Sequence, residues 1–261
     1  EALAKEGLGV VSNNSANRLK PDVPMVIPEI NPEHFDMIEQ QRKRLGTDTG
    51  FIVCKPNCSI QSYVPALHAL KKWEPEVVFV STYQAISGAG KTFETWPEAR
   101  DNVIPYIGGE EEKSEQEPHK IWGQITEDGI VASEKPAISA HCFRVGVQEG
   151  HTASVTVKFK NKPSKEEILE AWANYEALPQ QYKLPQAPKH FIHYLENPSH
   201  PQAKYDANVD KGMAIQISRL REDSILDYKF ACLSHNTLRG AAGGAVLTAE
   251  LLYKLGWIQA R

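Results

Sequence analysis

Phe51-Ile52-Val53-Cys54-Lys55-Pro56-Asn57-Cys58-Ser59-Ile60 is the stretch that decides the reading of this chain. Four apolar residues bounded by polar ones read as a short buried strand. Pro56-Asn57 turns the chain. Ile60, Val64, Leu67 and Leu70 then recur at helical spacing, with Pro65 expected to kink the helix they mark. Strand, turn and helix in succession make an α/β unit. Cys58 falls at the mouth of that helix, where free N–H groups and a partial positive charge favour thiolate over thiol. A free cysteine near pKa ~8.5 is only a few per cent thiolate at neutral pH, so such tuning matters for a nucleophile. The plain alternative is a buried cysteine filling a gap in the core, the usual fate of the residue. Cys54, Cys142 and Cys232 sit in apolar strand contexts and read as core.

Upstream, Glu1 to Glu6 reads as helix stopped by Gly7. Gly9 to Val11 is a short strand, followed by the polar loop Ser12 to Arg18 and by extended chain through Pro21, Pro24, Pro28 and Pro32. His34 to Leu45 reads as helix. Downstream, Val77 to Ser81 is a second buried strand, ending in the glycine-rich Ser87-Gly88-Ala89-Gly90. Residues 109 to 120 read as an exposed helix whose acidic run Glu110-Glu111-Glu112 is a solvated face. Ala137 to Val147 and Ala153 to Phe159 are two strands joined at Glu149-Gly150-His151. Ser164 with Glu167 three residues later forms a capping-box pattern. The prolines between 179 and 208 predict a long irregular stretch. Met213 to Leu220 and Leu226 to Leu233 are further strands, and Thr237 to Leu255 closes the chain as an amphipathic helix.

Composition fits an ordinary globular protein: 261 residues, 41% hydrophobic and 24% charged. Lys and Arg number 29 and Asp and Glu 33, a net charge of −4, so no basic field is available for nucleic acid. Four cysteines without C-x-x-C spacing favour a reducing, cytoplasmic setting over a disulfide framework. No apolar run approaches the length of a membrane span, and no signal-peptide pattern opens the sequence. Gly88-Ala89-Gly90-Lys91-Thr92 lacks the first glycine of a P-loop, because Ala85 stands there. No G-x-G-x-x-G occurs. His190, His193, His200 and Glu196 lack metal-ligand spacing, so no metal site is expected.

Two further residues carry candidate chemistry. His151, beside Gly150 at a turn between strands, is the best acid–base partner for a distant cysteine; the alternative is a surface turn histidine. Arg144, in His141-Cys142-Phe143-Arg144-Val145-Gly146-Val147, lies among apolar neighbours. Its planar fork suits a substrate carboxylate held bidentately, or a structural salt bridge.

Pro56-Asn57-Cys58-Ser59, then Ser81 through Gly90, then Arg144-Val145-Gly146 with His151 seven residues on, resemble the aspartate-semialdehyde dehydrogenase family. Pro28-Glu29-Ile30-Asn31 and His235-Asn236-Thr237 bring the resemblance closer to its archaeal and fungal branch. The order is kept over nearly the whole chain. The resemblance implies reduction of aspartyl-β-phosphate with NADPH to aspartate semialdehyde and phosphate, in lysine, threonine and methionine biosynthesis. It implies Cys58 as the thioester-forming nucleophile, His151 as general acid–base and Gln84 as the residue orienting the substrate. Arg144 would hold the α-carboxylate and Glu117 the amino group, Lys120 and Arg18 would meet phosphate, and Ser87, Gly88 and Asn236 would lie near the nicotinamide of NADP.

The implied fold is α/β: an α+β catalytic domain with a mixed sheet and helices on one face, plus the remnant of a Rossmann-type NADP-binding domain. Residues 1–52 would be that remnant, 53–234 the catalytic and dimerisation domain, and 235–261 a helix returning to the nucleotide-binding part. The family's glycine-rich phosphate turn is absent here. This implies that roughly 80–90 upstream residues, about three βα steps, are missing and that this chain alone is inactive. A homodimer or homotetramer is expected, with neither nucleic acid nor membrane as partner. Two other readings stay open at this point: a cysteine–histidine hydrolase or amidotransferase, and a non-catalytic dimerisation module.

Overall fold

The computed structural model describes residues 1–259. Ala2–Lys5 (α1) leads into Gly9–Ser12 (β1). Met37–Leu45 (α2) crosses back, and Phe51–Cys54 (β2) pairs in parallel with β1. Gly46, in the left-handed conformation that glycine tolerates, stops α2. Every residue of β2 is buried. Ile52 and Cys54 pack with Ala4, Val23 and Leu45, while Phe51 and Val53 pack with Val26, Ile38, Leu247 and Leu251. The last two belong to Ala242–Lys254, the closing helix, which therefore returns to the start of the chain.

The middle of the chain builds a second, larger layer. A single 3₁₀ turn, Ser59–Gln61, precedes Val64–His68 (α3). Pro65 lies in the first turn of α3, where its missing N–H costs nothing, so it starts a helix instead of kinking one. Then come Pro75–Gln84 (β3), Val103–Ile104 (β4), Glu110–Ile121 (α4) and a small hairpin of Gln124–Thr126 (β5) and Gly129–Val131 (β6). Ala137–Val145 (β7), His151–Phe159 (β8), Lys165–Ala173 (α5) and Leu178–Gln181 (α6) follow. Ser164 caps α5 through the reciprocal bonds with Glu167 that its sequence predicts. The stretch expected to be irregular holds a strand, Ile192–Leu195 (β9), and a short helix, Ala203–Asp206 (α7). Ile215–Glu222 (β10), Tyr228–Ser234 (β11) and the closing helix (α8) complete the chain.

Seven strands form one mixed sheet in the order β4-β7-β3-β8-β11-β10-β9. The strands joined at Gly150 are not neighbours: β3 lies between them, parallel to β7 and antiparallel to β8. This places the ends of β3 and β7 and the start of β8 side by side. One face of the sheet, with Val78, Val80, Val155, Ile217 and Phe230, packs on Tyr63, Leu67, Leu70, Ile168 and Trp172. The Trp172 indole N–H donates to the Ala66 carbonyl (2.9 Å), which fixes α5 over α3. The other face leaves Phe79 50% and Tyr83 39% exposed, with Tyr83 stacked on Phe143. No helix among the described residues is long and apolar enough to cross a membrane.

Candidate active site

Cys58 follows the end of β2 and the Pro56-Asn57 turn. Asn57 shapes that turn: its Oδ1 accepts from the Ser59 N–H and hydroxyl, both at 2.7 Å. The following element is one 3₁₀ turn, so the long helix expected to favour a thiolate is absent. Burial and the Glu110 carboxylate push the Cys58 thiol up to about 11, while Arg18 and Arg144 pull it down. Activation of the sulfur therefore depends on its side-chain neighbours.

His151 is the first residue of β8 and is completely buried, not at a surface turn. Its Nε2 lies 3.4 Å from Cys58 Sγ. Its Nδ1 accepts from the Ala85 main-chain N–H at 3.0 Å. Burial, with Arg144 adding to it, lowers the imidazole to about 3, so the ring is neutral at ordinary pH. Gln84 ends β3, buried, directly paired with Arg144 of β7. Its Nε2 donates to Thr82 Oγ1 (3.2 Å). Arg144 Nη1 donates to the Ala85 carbonyl at 2.6 Å. No carboxylate pairs with Arg144 among the described residues, so the salt-bridge reading does not hold. Two glycines admit this crowding. A Cβ on Gly88 would come within 2.9–3.0 Å of Arg144 Nη1 and the His151 ring, and one on Gly240 within 2.6 Å of Cys58 Cβ.

Helix α4 is less exposed than its acidic sequence predicts. Glu110, Glu117 and Lys120 are all buried. Glu117 is engaged by Arg18 Nη1 (2.8 Å) and by the Asn57 main-chain N–H. Lys120 Nζ donates to the carbonyls of Arg18 (2.6 Å), Lys20 (2.5 Å) and Val23 (2.8 Å), which uses all three of its N–H bonds. In this arrangement Glu117 and Lys120 hold the Arg18 loop against α4, and both Glu117 oxygens are already engaged. The acid that reaches the cysteine turn is Glu110, which accepts from Asn57 Nδ2 (2.9 and 3.0 Å) and from Lys113 Nζ (2.8 Å). Lys113 keeps 34% of its side chain exposed. Sequence reading missed Glu110 and Lys113, although they repeat the Glu-x-x-Lys spacing of Glu117 and Lys120.

Ser87, Glu149, Asn236 and Thr237 form one network beside the pair. Asn236 Nδ2 donates to Ser87 Oγ (2.8 Å), and Asn236 Oδ1 accepts from Gly150 N–H (2.8 Å). Ser87 and Thr237 both donate to Glu149 Oε2 (3.0 and 3.2 Å). Glu149 was not singled out from the sequence.

A half-buried thiol against a buried histidine, with a guanidinium alongside that has no acidic partner among the described residues and an α/β scaffold behind, defines a thiol enzyme acting on a carboxylate-bearing acyl or aldehyde compound. Comparison with known proteins agrees. The profile described as semialdehyde dehydrogenase, dimerisation domain, matches residues 65–239, and that of the corresponding NAD binding domain matches residues 1–38. The aspartate-semialdehyde dehydrogenase of Aspergillus fumigatus is 41% identical over 263 residues, covering 97% of this chain and 72% of that protein. The enzyme of that name from Methanothermobacter thermautotrophicus is also 41% identical, over 94% of this chain and 71% of its own length. The crystal structure of the Candida albicans enzyme with NADP superposes with a TM-score of 0.85 at 36% identity, over 98% of this chain and 74% of that one. The chain belongs to the aspartate-semialdehyde dehydrogenase family.

Proposed function

We propose that this chain carries the thiol chemistry of aspartate-semialdehyde dehydrogenase, the reductive dephosphorylation of aspartyl-β-phosphate in amino-acid biosynthesis. The observation that carries the reading is the contact of Cys58 with His151 beside an Arg144 that has no acidic partner among the described residues. Cys58 attacks the acyl carbon, phosphate departs and a thioester forms. The Arg144 fork holds the substrate α-carboxylate. Glu110 is better placed than Glu117 to receive the ammonium group, and Lys113 better than Lys120 to meet phosphate, because Glu110 bonds Asn57 in the cysteine turn and Lys113, partly exposed, bonds Glu110. Arg18 supplies positive charge behind them. Gln84, paired with Arg144, orients the acyl group.

The cofactor of this reading is NADP, as in the Candida albicans structure. Ser87, Gly88 and Asn236 fit its nicotinamide end: small, uncharged donors and acceptors against a glycine backbone that lies flush with His151. When bound, the nicotinamide supplies hydride. The protein's own residues hold the substrate, keep water out and steady the sulfur.

The partner is a second copy of the chain, in a dimer or a tetramer built from it. The dimerisation-domain match and the face of the sheet that exposes Phe79 and Tyr83, with Phe143 stacked on Tyr83, support this. The net charge of −4 gives no support to a nucleic-acid partner. Four free cysteines fit a cytoplasmic setting. The test is the full gene product supplied with aspartate semialdehyde, phosphate and NADP. The expected result is reduced cofactor, absent in Cys58→Ser. Cofactor-independent ester or amide hydrolysis would favour a hydrolase instead.

A further inference from the structure

The geometry points to a second ligand site in this molecule, a cleft between α3, the end of α4 and the start of β3 that takes a small aromatic carboxylate. It shares no group with the cysteine site and does not depend on the dehydrogenase reading.

The cleft encloses about 190 Å³. An apolar cavity of about 150 Å³ is enough to hold benzene, so one aromatic ring fits. Its apolar walls are Leu67 of α3, Pro75 at the start of β3, Trp122 directly after α4, and Pro136. The flat surfaces of an indole and two prolines suit a ring better than a branched chain. Gln84, at the other end of the ten-residue strand β3, lies about 30 Å away. The cleft is therefore remote from Cys58 and Arg144.

The wall formed by residues 133–136 is tied down without any ligand. The Ser133 main-chain N–H donates to the His119 carbonyl (2.8 Å), and His119 Nε2–H donates to the Pro136 carbonyl (2.8 Å). The Ser133 hydroxyl donates to the Lys135 carbonyl (2.8 Å). A wall held in this way costs little ordering on binding.

Charge and hydrogen bonding select the ligand. Lys71 and Lys135 stand on the rim. Lys135 reaches only Glu76, at 3.4 Å with 67% of its side chain exposed, and Lys71 forms no ion pair among the described residues. Both ammoniums can therefore turn to an anion. Glu74, also on the rim, is engaged by Lys160 (2.8 Å) and Asn161 (3.2 Å). Its charge limits the occupant to a single carboxylate and disfavours a phosphate dianion. The Trp122 indole N–H is shut off from solvent and has no acceptor among the described residues. A buried donor left unpaired is costly, and a carboxylate oxygen seated against the indole relieves that cost.

The test is a titration of the ¹⁵N-labelled protein with benzoate, followed at the indole N–H signals of its five tryptophans. Trp122→Phe assigns the Trp122 signal by its loss. The expected result is a saturable downfield shift of that signal with a Kd of about 1 mM or tighter. Lys71→Ala with Lys135→Ala should weaken binding about fivefold to thirtyfold, as two partly exposed ion pairs are lost. Benzamide, equal in shape and uncharged, should bind correspondingly weakly to the parent protein. Arg144→Lys should leave the Trp122 response unchanged. The proposal is overturned by an indole signal that does not move below about 10 mM benzoate. Equal affinities for benzoate and benzamide, or an unchanged Kd in the double lysine variant, would also overturn it. So would loss of the Trp122 response in Arg144→Lys, which would place the carboxylate at the cysteine site. No readout uses substrate or cofactor, so absence of NADP-dependent turnover would bear on the functional reading alone.

Discussion

Cys58 Sγ and His151 Nε2 stand 3.4 Å apart although 93 residues separate them in sequence. β3 makes this possible by lying between β7 and β8, which sets the start of β8 beside the end of β3 and brings Ala85 against the imidazole. The sulfur has no long helix to lower its pKa, so its reactivity depends on this contact and on Arg18 and Arg144. His151→Ala is therefore expected to lower kcat/KM by about 10²–10⁴, the range for losing a positioned catalytic group, with circular dichroism unchanged. An effect below tenfold in steady-state kinetics would remove His151 from the mechanism.

Arg144 has a guanidinium held at one end by Ala85 and, among the described residues, no acid at the other. Arg144→Lys keeps the charge and loses the fork. It is expected to raise KM for aspartate semialdehyde about 10–100-fold, with a smaller effect on KM for phosphate. Equal rises in both KM values would argue against a carboxylate clamp.

Glu110 and Glu117 are predicted to part in opposite ways. Glu117→Gln weakens a buried ion pair with Arg18, so urea unfolding should show a loss of about 3 kcal/mol or more. Glu110→Gln should cost less stability but raise KM at least tenfold, since a carboxylate facing a substrate ammonium is lost. A reversed pattern would return the substrate role to Glu117.

Lys55 is fully buried and its ammonium has no hydrogen-bond partner among the described residues. Burial, with Arg239 adding to it, lowers its pKa from 10.5 to about 7. Between pH 7 and 10.5 the unfolded chain binds the extra proton, so this group makes the fold more stable as pH rises and imposes its full cost below pH 7. Lys55→Met is expected to stabilise the protein by about 1–4 kcal/mol at pH 6 and by little at pH 10. Thermal melts at the two pH values check this, and an equal shift at both would contradict it.

Phe79 and Tyr83 project from the helix-free face of the sheet. Phe79→Lys with Tyr83→Lys places charge on that face and is expected to shift the protein to monomer in sedimentation, with little change in its circular dichroism. An unchanged oligomer would move the interface elsewhere.

Much of this was legible in the sequence. The strands around Phe51 and Val77, the capping box at Ser164 and the helix over 110–121 follow from local pattern, and motif order identified the family. What stayed hidden has physical causes. Glu110–Lys113 and Glu117–Lys120 are seven residues apart, two helical turns, so both pairs lie on one face of α4. Spacing could not choose between them; Asn57 and the carbonyls of the 18–23 loop do. Pro65 breaks a helix or begins one according to where the turn before it ends. Strand β9 is four residues between prolines and is held by tertiary pairing with β10. The contact of the His151 ring with the Ala85 peptide N–H joins residues 66 apart in sequence, which no local pattern reveals.

The central claim is that Cys58 is acylated by an aspartyl phosphate. Incubation of the protein with β-aspartyl phosphate, without cofactor, followed by intact-mass and peptide mass spectrometry, tests it most directly. The account predicts release of phosphate and one aspartyl group per chain, in thioester linkage to Cys58 and absent in Cys58→Ser. Phosphate release no faster than spontaneous hydrolysis, or an adduct on any other residue, would contradict it.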